Sequence, residues 1–93
     1  MDTQDFHFEP GLVLHGAIVG AFKASGVSFE HWLTEQGVNM SSARNATYGQ
    51  SNGPKGRALL ARLIAAAGPE VVRAGYIARM DRHMAEIKAG AAA

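Results

Sequence analysis

Glycine and proline constrain this chain more than any other residues. Pro10-Gly11, Gly26, Gly37, Gly49, Gly53-Pro54 and Gly68-Pro69 cut it into five short runs, and no run alternates apolar and polar residues as a half-buried strand would. Each run instead carries helical spacing or a helical start signal. Leu12, His15, Ile18, Val19 and Phe22 recur in three- and four-residue steps, predicting a helix over about 10–25. Ser28 can cap a second helix over 28–36, with Glu30 in its first turn where the helix dipole favours an acid. Asn39 can cap a third over 39–48. Pro54 and Pro69 suit first-turn positions and open helices over 54–67 and 69–89, with the alanine tail to Ala93 expected to fray.

The expected fold is therefore all-α, a compact bundle of about five helices in a single domain over 1–93, since 93 residues can close only one core. An apolar share of 47% against 18% charged residues is enough to fill that core, for which Phe22, Trp32, Leu59, Leu63 and Val72 are candidates. The longest apolar run, Leu12 to Phe22, is interrupted by His15 and falls short of the ~20 residues that cross a bilayer, so no membrane contact is expected. The absence of cysteine and an acidic rather than basic start suit a reducing, cytoplasmic compartment.

Charge is unevenly distributed. Up to Val38 there are five acids against Lys23; from Asn39 onward there are eight bases against Glu70, Asp81 and Glu86, with no acid between Glu35 and Glu70. A surface built from that stretch has a one-signed field able to attract a polyanion, or is a solvated basic face. Within it, two short helices joined through Gly37 match what a helix-turn-helix requires. Phe29, Trp32, Leu33, Val38, Ala43 and Ala46 would hold the pair together. Asn39, Met40, Ser41, Ser42, Arg44, Asn45 and Tyr48 would face bases, because Arg forks to guanine, Asn to adenine, and Ser bonds either base or phosphate. Thr47, Lys55 and Arg57 are the expected phosphate contacts, the last two at a helix start whose N–H groups also favour an anion.

The stretch His31 to Val72, with GVNMSSARNA, GPKGR and GPEVV, resembles the Ner-like regulators of transposable phages and their bacterial Nlp relatives. It differs from them at Gly53, where that family usually has tryptophan, and at Arg57, where it usually has an acid. The resemblance implies a lambda-repressor-like fold, double-stranded DNA binding by the helix from Asn39 to Tyr48, transcriptional regulation, and a location in the bacterial cytoplasm or nucleoid. Two alternatives come from other classes. One is an interaction module contacting RNA polymerase or another regulator through the acidic N-terminal segment or the last helix; the other is the DNA-binding unit of a phage-type small terminase.

No catalysis, cofactor or metal is expected. His7, His15, His31 and His83 lack zinc-ligand spacing and read as core-edge or surface residues, and the loop before Lys55 departs from the phosphate-loop pattern and follows no strand. Ile77, Met80, Met84 and Ile87 form a helical stripe, read either as a face packed on its own domain or as the seam of a homodimer through helix 69–89.

Overall fold

The computed structural model describes residues 7–92 and contains five helices in the expected order: α1 (Leu12–Ala24), α2 (Phe29–Glu35), α3 (Met40–Tyr48), α4 (Pro54–Ala67) and α5 (Pro69–Ala92). The chain is an all-α bundle, with no strand among the described residues. Two boundaries differ from expectation by two residues or more. α1 begins at Leu12 rather than Pro10, because Gly11 is non-helical and its N–H donates to the Thr47 carbonyl at 2.9 Å, drawing the chain onto α3. α5 continues to Ala92 instead of fraying at Ala89, in keeping with alanine's leading helix propensity.

The core lies where α1, α3, α4 and α5 meet. Leu14, Ile18, Phe22, Leu63 and Val72 are enclosed, together with Ala17, Ala21, Leu33, Ala43 and Ala67. Trp32 and Leu59 are half-buried at its edge rather than inside it, the Trp32 ring tilted against Phe22 at 5.8 Å between centroids. α1 is the central helix: one side packs on α3 and the other on α5. On the α5 side, Arg79 lies where Gly16, Gly20 and Gly75 leave room. A Cβ at Gly20 or Gly75 would stand 2.9 Å from its guanidinium nitrogens, and Nη1 donates to the Gly75 carbonyl at 3.2 Å.

No single helix among the described residues is long and apolar enough to cross a membrane. α1 and α2 reach that hydropathy only together, and they meet at a bend of 89°. α2 ends at Glu35 with Gln36 as its C-cap, and Gly37 takes φ 69, a left-handed conformation that a Cβ penalises, so the chain turns there and α3 starts at Met40.

Candidate nucleic-acid interface

α3 starts where Asn39, in an extended conformation, accepts the Ser42 N–H on Oδ1 at 2.8 Å. It stops at Gly49, a left-handed residue, where the Asn45 carbonyl accepts the N–H groups of Gly49, Gln50 and Ser51. Inside these caps the helix divides by face. Ala43, Ala46 and Thr47 are buried, and Met40, one turn before Ala43, packs against the core. The opposite face carries Ser41, Asn45 and Tyr48, flanked by Ser42 on one side and Arg44 on the other.

The expected site residues therefore separate. Ser41, Ser42, Arg44 and Tyr48 are exposed, Asn45 is half-buried, and Asn39 is exposed with its side-chain oxygen engaged as a cap. Met40 and Thr47 do not fit the roles expected of them. Met40 turns inward because positions 40, 43 and 47 share the buried face. Thr47 is 0% exposed, its hydroxyl donating to the Arg44 carbonyl at 3.2 Å and bonded to His15 Nδ1 at 2.8 Å, so no phosphate can reach it.

Between α3 and α4 runs an open groove of about 330 Å³, lined by Asn39, Ser42, Asn45, Ser51, Lys55 and Arg62 among others, and by no carboxylate. Lys55, Leu59 and Arg62, spaced four and three apart, put the two cations on one face of α4. Arg57, two residues beyond Lys55, is exposed on the other flank and does not join them. Sequence reasoning missed Arg62; its seven-residue spacing from Lys55 is the signal that finds it. Its guanidinium is held in place, donating to Gln36 Oε1 at 3.0 Å and standing 5.9 Å from the Trp32 ring centre.

The other side of α3 faces α1. Tyr48 stacks on His15, with ring centroids 4.4 Å apart and planes 19° from parallel. Burial, and then the charge of Arg44, hold the pKa of His15 below the usual histidine value. Because Thr47 already donates to a carbonyl, its oxygen receives the His15 Nδ1 proton, which assigns the neutral tautomer. Arg44 thus flanks α3 on the α1 side, with the helix width between it and the Lys55–Arg62 pair.

No family model, curated protein or solved structure matches the chain. Its chemistry must be read from the side chains themselves. Among the described residues no three His, Asp or Glu side chains converge on a point that could hold a metal ion. The arrangement offers a convex polar helix, capped at both ends, with a cation on one flank and two more across a groove on the other.

Proposed function

We propose that this chain binds double-stranded DNA to regulate transcription, with α2 and α3 acting as a helix-turn-helix and α3 entering the major groove. The observation that carries this reading is the exposed side of α3. Ser41 stands outward, with half-buried Asn45 at the groove on one side of it and Tyr48 stacked on His15 on the other. No carboxylate lies among them, between Arg44 on one flank and the Lys55–Arg62 groove on the other. A helix so placed can offer hydrogen-bonding groups to base edges while cations on either side meet the two phosphate backbones. Asn39, Ser41, Ser42, Arg44, Asn45 and Tyr48 are the base-contact candidates that remain, and Lys55 and Arg62 the phosphate contacts. The likeness of His31–Val72 to Ner-like regulators belongs to the same proposal, as does a cytoplasmic or nucleoid location.

Selection of bound sites from a random duplex pool, followed by gel-shift titration at several salt concentrations, tests it. The expected result is an enriched sequence and an affinity that falls steeply with salt, because each neutralised phosphate releases counterions. Absence of duplex binding at low salt defeats the reading.

A further inference from the structure

His15 has one ring nitrogen in use and one open. Nδ1–H donates to Thr47 at 2.8 Å, so in the neutral ring Nε2 carries a lone pair. No hydrogen bond within the described residues engages Nε2. Because no buried side-chain nitrogen or oxygen among those residues lacks a partner, this atom of a half-buried ring reaches solvent. Tyr48 covers one face of the ring at 4.4 Å between centroids and Phe29 meets it edge-on at 6.3 Å, so the ring is held beside α3. Arg44 and Tyr48 of α3 are the ionisable groups that face it, and α2 meets it through Phe29. Its neighbours one turn away on α1 are the uncharged Leu12, Ile18 and Val19, and among the described residues Arg44 is the charge that perturbs it.

We propose that His15 Nε2 holds a DNA backbone phosphate on the α1 side of α3, and that the ring is protonated when it does so, so that duplex binding takes up one proton. The inference rests on the DNA reading of α3 and adds to it a contact from α1 and a dependence on pH. Phosphate oxygens accept hydrogen bonds and donate none, and a neutral Nε2 with its lone pair also accepts. The existing ring proton cannot be turned outward without breaking the bond to Thr47. A second proton, on Nε2, supplies the donor and leaves Nδ1–H where it is. In the free chain, burial and then Arg44 oppose that proton. A phosphate set against both cations reverses the balance, because an opposite charge within ~4–6 Å favours the charged ring. Affinity for duplex therefore rises as the pH falls.

The test follows the His15 Cε1–H resonance by NMR across pH, in the full-length chain at low salt, with and without a short duplex of mixed sequence. Overhauser contacts with the Tyr48 ring assign the resonance in the native chain. The expected result is a titration midpoint raised by about one pH unit on duplex. That rise should exceed the general one that the field of DNA gives His7, His31 and His83. Duplex affinity of the native chain should increase roughly three- to tenfold between about pH 8 and pH 6, as one proton is bound. His15→Gln, checked for folding by circular dichroism, should lose most of that dependence. A duplex that binds while the His15 midpoint falls, or moves no further than those of the other histidines, overturns the contact and leaves the DNA reading standing. A chain that binds no duplex at any of these pH values overturns both.

Discussion

His15 and Thr47 join α1 to α3 through one 2.8 Å hydrogen bond, made by a threonine that no solvent reaches. Replacing Thr47 by the isosteric Val keeps the packing and removes the acceptor for His15 Nδ1–H. The expected cost is about 1 kcal/mol of stability, measured by urea denaturation, because a polar group at a covered site loses its partner.

The same histidine gives the fold a pH dependence. The folded chain holds the His15 proton less tightly than the unfolded chain, whose histidine titrates near the usual 6.5. Protonation therefore favours unfolding: the contribution is complete above that value and is lost as the pH falls below it, towards the depressed folded pKa. Melting temperature should drop between pH 7.5 and pH 5, and His15→Phe should flatten that part of the curve.

Asn39 allows stability and binding to be separated. Asn39→Ala removes the acceptor for Ser42 N–H and should cost ~0.5–2 kcal/mol. Asn39→Asp keeps the cap and adds charge where the helix dipole welcomes it, yet sets a carboxylate in the groove that Lys55 and Arg62 line. The expected outcome for Asn39→Asp is unchanged or raised stability with reduced duplex affinity, read by thermal melting and gel shift on one sample.

Arg44→Ala should relax sequence preference and cost ~1–3 kcal/mol on the preferred duplex. Lys55→Ala and Arg62→Ala should each weaken all duplexes alike and reduce the salt slope by about one. Arg57→Ala, on the other flank of α4, should change affinity less than Lys55→Ala. Site selection on Arg44→Ala and salt titrations on the other three variants check these expectations.

Leu63 is fully enclosed, and Leu63→Ala should cost ~2–5 kcal/mol by leaving a cavity where α4 meets the core. Denaturant titration measures this, and the result should be a large loss from the ~5–15 kcal/mol typical of single domains.

The helices were legible because Gly26, Gly37, Gly49 and Gly68 all sit at positive φ near helix ends, where glycine is favoured, and because Pro54 and Pro69 open the helices that follow. The polar side of α3 was legible at Ser41 and Arg44 for the same local reason. Composition alone misplaces Thr47 and Met40, one polar and so expected outside, the other long and so expected free, whereas their spacing from Ala43 puts both on the inward face. The role of His15 was not legible at all. It depends on a contact 32 residues away, and nothing near position 15 reports it. The place of Arg79 was not legible either, since only the meeting of α1 with α5 shows that three glycines make room for it.

α1 grips α3 through His15 on one side and α5 through the glycine-lined seat of Arg79 on the other. The polar helix and the apolar stripe are thereby mounted on one strut and cannot drift independently. A methyl added at Gly16 would stand 3.2 Å from Arg79 Nε, a contact that this flexible side chain relieves by moving a few tenths of an ångström, so the seat yields before the helices do.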